Sequence, residues 1–231
     1  MIGFYDYTVV LTYISLACSV FGITEAIQGN YVVAVICLAL SGLLDMFDGK
    51  IARTKKNRTD DERLFGVQID SLCDVVCFGV FPAVIFYTVA PKGIVTTFVL
   101  VYYCVCSVIR LAYFNVLETN RQKTEGGANK YYFGLPITSI AIILPVISIL
   151  KPFLAYDAFL VVLSAAIAAT GTLFIVNFQL KKPSNRKLAV LVSVTACMLL
   201  AFLICTHIQL KQSPYAEQNT IVETFKHGVQ E

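Results

Sequence analysis

Long apolar segments alternate with short polar connections along this chain, and that alternation limits the fold more than any single motif. A spanning helix needs about 20 apolar residues, because a rise of about 1.5 Å per residue must cover about 30 Å of hydrocarbon. Candidate segments lie at about 8–27, 31–48, 66–90, 93–115, 134–151, 155–178 and 188–208. In lipid the backbone N–H and C=O groups must be satisfied within the segment itself, so runs of this length imply an all-α polytopic membrane bundle of about seven spans. Apolar residues make up 57% of the chain and charged residues 14%, against roughly 45–50% and about 25% in a soluble domain. The charges are gathered into a few runs, which excludes a soluble domain that is merely rich in core residues.

The loop cations give an orientation. One connection carries Lys50, Arg53, Lys55, Lys56, Arg58 and Arg63; another carries Arg121, Lys123 and Lys130; a third carries Lys181, Lys182, Arg186 and Lys187. The alternate connections hold little more than Lys92 and Lys151. The basic side is therefore expected to be cytoplasmic, together with the amino terminus. That terminus lacks a basic stretch of the kind that precedes a cleavable signal, so the first apolar segment is expected to stay as a membrane helix. Residues 1–208 read as one membrane domain and 209–231 as a polar tail. The net charge of +3 belongs to the loops and gives no support to nucleic-acid binding. All 8 cysteines fall in apolar segments without zinc-site spacing, and they read as small buried side chains.

Four aspartates interrupt this apolar pattern: Asp45 and Asp48 near the end of the second segment, Asp70 and Asp74 in the third. Ionised carboxylates at such depth are expensive and mark functional sites. The i,i+3 spacing of the first pair and the i,i+4 spacing of the second put each pair on one helix face. Two helix ends aiming paired carboxylates at one place form an oxygen-rich cage for hard divalent cations such as Mg²⁺ or Mn²⁺, and two such ions can bridge a diphosphate. Around them stand Gly49 and Gly66, which let a phosphate or nucleotide approach the backbone. Ala52 keeps the adjacent wall thin, and Arg53 offers a planar fork for phosphate oxygens.

In order, the chain reads Asp45-x2-Asp48-Gly49-x2-Ala52-Arg53-x12-Gly66-x3-Asp70-x3-Asp74. This signature resembles that of the CDP-alcohol phosphatidyltransferases. The spacer between Arg53 and Gly66 is longer than is usual there, and the polar run KKNRTDDER absorbs the difference. The family often has Pro-Asn ahead of a threonine in the first helix; here Thr8-Val9 precedes Thr12, so the resemblance assigns no contact to that helix. The stretch FGVQIDSLCDVVCFGVFPA (65–83), with RLAYFNV (110–116) and YFGLPIT (132–138), is similar to the phosphatidylserine synthase group of that family.

The resemblance implies a bundle with a polar, cytoplasm-open cavity and transfer of a phosphatidyl group from CDP-diacylglycerol to L-serine, with CMP leaving. Asp45, Asp48, Asp70 and Asp74 would be the metal ligands and Asp74 the general base. Gly49, Ala52, Arg53, Gly66 and Thr59 would face the nucleotide. Arg110 and Asn115 are candidates for a serine or phosphate contact. Homodimers are common in the family. The alternatives are another acceptor, inositol phosphate or glycerol phosphate, and a cation transporter using the same aspartates.

Overall fold

The computed structural model describes residues 3–4, 7–52, 54–55, 57, 59–124 and 131–181, with Ala196, Leu200, Leu203 and Ile204. After a 3-10 turn at Tyr7–Val9, helix α1 runs Val10–Ile27 and returns as α2, Tyr31–Ala52. The reversal between them uses Gly29 at φ 88°, a left-handed conformation that only glycine adopts cheaply. Helix α3, Asp60–Asp74, starts at Thr59, whose side chain accepts from the Glu62 amide while the Glu62 carboxylate accepts from the Thr59 amide. This reciprocal cap satisfies two donors that a helix start otherwise leaves open.

A π-helical turn, Val75–Val80, joins α3 to α4, Phe81–Val89. Pro82 explains it. Proline has no N–H, and its ring crowds the carbonyl four residues back, which is Phe78. The freed Phe78 carbonyl accepts the hydroxyl of the fully buried Tyr103 at 2.6 Å. Residues 60–89 therefore form one rod with a reset phase: the aspartates of α3 face one side while Phe78, Phe81 and Phe86 enter the core.

Helix α5, Ile94–Thr124, has 31 residues and is about 46 Å long, so its last turns extend past the hydrocarbon. A short ribbon follows, with β1 (Tyr131–Phe133) antiparallel to β2 (Gln179–Lys181). Between its ends lie a 3-10 turn (Ile137–Ser139), α6 (Ile140–Ile149) and α7 (Tyr156–Ile175). Gly134 leaves the ribbon at φ 73°, where a β-carbon would lie 3.1 Å from the Phe174 and Val176 carbonyls. Its amide donates to Phe178 O at 2.7 Å, and the Leu135 amide donates to Leu173 O at 3.0 Å.

The core is apolar, with Phe78, Phe81, Tyr103, Leu144, Phe159 and Leu163 at its centre. Outward faces are apolar too: α5 turns Ile94, Phe98, Val101 and Val105 away from the bundle, as a helix in lipid does. At the end remote from the aspartates, Lys92 lies over the Tyr87 ring and Lys151 lies 4.2 Å from the centroid of Tyr31. Burial holds the Lys151 ammonium below the usual lysine range.

Among the described residues, five helices are long and apolar enough to cross a membrane: Tyr7–Ile27, Tyr31–Gly49, Asp60–Val89, Ile94–Asn120 and Tyr156–Ile175. The protein is thus a helical membrane protein, and the described residues supply five of the about seven spans expected. The segment expected at 134–151 forms a shorter apolar helix, Ile137–Ile149, entered through Pro136 and containing Pro145. The segment at 188–208 and the 209–231 tail lie outside the described residues, apart from the four isolated positions. The third helix begins at Asp60 rather than near 66, and the β1–β2 ribbon is a departure from a purely helical chain.

Candidate active site

The site forms where the end of α2 meets α3. One carboxylate oxygen each from Asp45, Asp70 and Asp74 lies within 4.8 Å of the others. Across the seam Asp45 of α2 faces Asp70 and Asp74 of α3. Helical spacing produces this arrangement on both sides: each pair projects from one face, and the packed helices turn those faces together. The fourth carboxylate, Asp48, is buried, while the other three are half-buried.

The donor set suits a hard divalent cation. Opposite ligands of an octahedral Mg²⁺ are about 4 Å apart, from bond lengths of about 2.1 Å. Three carboxylate oxygens within 4.8 Å need only small side-chain shifts to reach that spacing. Among the described residues, no other group of three or more acids, histidines or cysteines is gathered in this way.

The surroundings tie the site to three further elements. Thr12 of α1 donates its hydroxyl to Asp48 Oδ2 at 3.3 Å. Ser71, next to Asp70 on α3, donates to Asn115 Oδ1 of α5 at 2.6 Å. Arg110, one turn earlier on α5 and 5% exposed, donates from Nε to the Leu135 carbonyl at 2.9 Å. Tyr7 and Thr54 share a hydrogen bond of 3.1 Å, and the Phe4 ring meets Phe65 edge-on at 5.5 Å. The start of the chain thereby crosses the α2–α3 connection beside the acids.

The residues expected from sequence fall as follows. Gly49 and Gly66 lie on the same two helices as the acids, Gly49 exposed and Gly66 half-buried. Ala52 ends α2. Arg53 lies outside the described residues. The hydroxyl of Thr59 is engaged in the α3 cap. Asn115 reaches the site through Ser71, and Arg110 fastens α5 to the segment that enters α6. Sequence reasoning named Thr12 but assigned it no contact, and the structure places its hydroxyl on Asp48. A signal for it existed: Thr8, Thr12, Ser15 and Ser19 recur on one buried face that runs from the 3-10 turn into the first half of α1.

The class follows from this geometry together with one comparison. Residues 8–170 match the family model of the CDP-alcohol phosphatidyltransferases, and the chain belongs to that family. Among curated proteins it is 34% identical over 148 residues to the CDP-diacylglycerol–serine O-phosphatidyltransferase of Saccharomyces cerevisiae, a match covering 63% of this chain and 51% of that protein. The protein of the same name from Mycobacterium tuberculosis is 32% identical over 133 residues, covering 57% and 45%. The archaetidylserine synthase of Methanothermobacter thermautotrophicus is 35% identical over 133 residues, covering 57% and 53%. The chain spans about half the length of the curated relatives it matches.

Proposed function

We propose that this protein transfers the phosphatidyl group of CDP-diacylglycerol to L-serine, giving phosphatidylserine and CMP. The observation that carries the reading is the convergence of Asp45, Asp70 and Asp74 within 4.8 Å inside an apolar bundle. The names of the relatives support serine as the acceptor.

Asp45, Asp48, Asp70 and Asp74 would hold Mg²⁺ or Mn²⁺, with room in the ligand count for two ions. Bound there, the metal supplies charge neutralisation of a diphosphate and of the departing phosphate. The remaining chemistry falls to the chain itself. Asp74 takes the proton of the serine hydroxyl, because a carboxylate held within hydrogen-bond reach of the attacking oxygen is an effective base by position. The serine oxygen forms a bond to the phosphatidyl phosphorus. The bond from that phosphorus to the bridging oxygen breaks, and CMP leaves with the electron pair. Gly49, Ala52 and Gly66 would face the nucleotide, and Arg53 would offer its guanidinium to phosphate oxygens. Arg110 and Asn115 border the acceptor side. The diacylglycerol chains stay in lipid while serine and CMP exchange with the cytoplasm, the side on which the basic loops are expected.

The test is CMP release by the purified protein supplied with CDP-diacylglycerol, with and without Mg²⁺ or Mn²⁺, and with labelled serine, inositol phosphate or glycerol phosphate in turn. Serine-dependent, metal-dependent CMP release with label in the lipid is the expected result. Label from another acceptor alone would move the protein to a different branch of the family. Cation flux in vesicles without CMP release would replace the enzyme reading with transport. An ether-linked CDP lipid used in parallel tests the likeness to the archaetidylserine synthase.

A further inference from the structure

We infer that Thr12 is a positioning residue for the acidic site: its hydroxyl holds the Asp48 carboxylate in the orientation that a divalent cation requires. This rests on reading the four aspartates as a cation site, as proposed above.

Helix α1 contributes no carboxylate, yet it reaches the cluster directly. The Thr12 hydroxyl donates to Asp48 Oδ2 at 3.3 Å, and both residues are buried, at 6% and 8% exposure. A hydroxyl in such surroundings needs an acceptor, and a charged one gives a stronger bond than a neutral one. The end of an aspartate side chain turns in a broad, nearly two-fold well, so a carboxylate is poorly oriented without a donor on one oxygen. One hydroxyl on Oδ2 removes that degeneracy and leaves Oδ1 for other partners. Threonine suits the task because β-branching restricts its own χ1 in a helix.

A second set of contacts sets the register of α1 against α2. Ser15 Oγ donates to the Ser41 carbonyl at 3.1 Å, and Ser41 Oγ donates to the Ser15 carbonyl at 3.1 Å. Ser19 Oγ donates to Ser41 Oγ at 2.8 Å. This clasp begins one turn from Thr12 and fixes both the rotation and the height of α1, so the Thr12 hydroxyl arrives at Asp48 rather than at a neighbouring turn. Outer-shell groups of this kind typically change metal affinity by about 10- to 100-fold when removed.

The experiment titrates the purified full chain in detergent with Mn²⁺, following free Mn²⁺ by electron paramagnetic resonance, for wild type, Thr12→Val and Thr12→Ser. Thr12→Val is expected to bind about tenfold more weakly. Thr12→Ser is expected to recover to within about twofold of wild type, since it keeps the donor. The melting temperature without metal should drop only slightly in Thr12→Val, by the loss of one interhelical hydrogen bond, whereas a purely packing role, which valine preserves, would leave Mn²⁺ affinity unchanged. If Thr12→Val cannot be purified, Thr12→Ala removes the same donor and makes the same comparison with serine. Affinity within about twofold of wild type for the valine or alanine variant would overturn the inference, as would equal weakening by serine. A wild-type chain that binds no Mn²⁺ would overturn it together with the cation site. Binding of Mn²⁺ that depends on Thr12, in a protein that does not incorporate serine, would leave the inference standing and remove only the acceptor.

Discussion

The α1–α2 seam and the α5–α7 seam are both long contacts between helices, but they are built from different chemistry. The first is closed by small polar side chains: the Ser15–Ser41–Ser19 clasp, and Cys18 donating to the Cys37 carbonyl at 3.5 Å. The second rests on aromatic bulk. Tyr103 and Phe174 meet with ring centroids 5.8 Å apart, and Gly171 lies beneath Tyr103. Within lipid, apolar contact alone gives little reason for one helix to prefer another, so close packing and hydrogen bonds decide the pairing. Hydrogen bonds also fix register, whereas an aromatic pair tolerates sliding. The seam with the hydroxyls is the one that ends in the acidic site, where a displacement of about 1 Å would matter to chemistry. Precision is concentrated beside the carboxylates, and bulk is placed behind them.

The largest effect expected is on the precise side. Asp74→Asn keeps the shape of the side chain and removes its ability to take a proton. CMP release should fall by about 10²- to 10⁴-fold, the usual contribution of a positioned general base. Binding of CDP-diacylglycerol, measured by equilibrium dialysis, should persist in part. Turnover near the wild-type level would show that another group accepts the serine proton.

Next in size is a pair of glycine substitutions that sets the two seams against each other. A β-carbon at Gly22 of α1 would lie 2.3 Å from Phe81 Cζ and 2.7 Å from Cys37 Cβ, so something must move. A β-carbon at Gly171 of α7 would meet Tyr103 Cα at 3.4 Å, close to ordinary contact. Gly22→Ala should therefore destabilise by about 1–3 kcal/mol, with a clear drop in melting temperature. Gly171→Ala should be nearly neutral, its slight crowding offset by alanine's helix propensity of about 1 kcal/mol over glycine. A larger loss at Gly171 than at Gly22 would reverse the assignment of the tight seam.

Much of this was legible in the chain. Ionisable side chains inside apolar runs are rare enough to be noticed, and helical periodicity alone placed Asp45 with Asp48 and Asp70 with Asp74 on shared faces. The start of α3 was misjudged because DDER looks like loop, although Thr59 and Glu62 stand at capping-box spacing. The π turn and the truncation of α6 both follow from prolines, Pro82 in the first case and Pro136 with Pro145 in the second. Their effect depends on which neighbour can receive a freed carbonyl, and Tyr103 is distant in sequence from Phe78. The β1–β2 ribbon has the same difficulty, since Tyr131 pairs with Lys181 across two helices. Thr12 was set aside for another reason: Thr8-Val9 stands ahead of it where the family often has Pro-Asn, and its partner Asp48 lies on the facing helix.

The smallest predicted effect separates the seams by a single hydroxyl on each. Ser41 takes part in both halves of the α1–α2 clasp, as donor to the Ser15 carbonyl and as acceptor from Ser19. Thr172 on α7 shares a 2.9 Å hydrogen bond with the Tyr102 hydroxyl, and it also donates back to the Ala168 carbonyl at 2.9 Å within its own helix. Interhelical hydrogen bonds in membranes are worth about 0.6 kcal/mol on average and about 1.7 at most. Ser41→Ala disturbs two buried partners and should fall toward the upper figure. Thr172→Val keeps the shape, disturbs an exposed pair, and should lie at or below the average. Melting in detergent measures that difference, but Mn²⁺ affinity tests its meaning. If hydroxyls on α1 and α2 set the register that brings Thr12 to Asp48, Ser41→Ala weakens Mn²⁺ binding by about twofold or more, equivalent to about 0.4 kcal/mol, while Thr172→Val leaves it unchanged. Equal shifts in both variants would mean that the two seams support the site alike, and the division between a precise half and a bulky half would no longer hold.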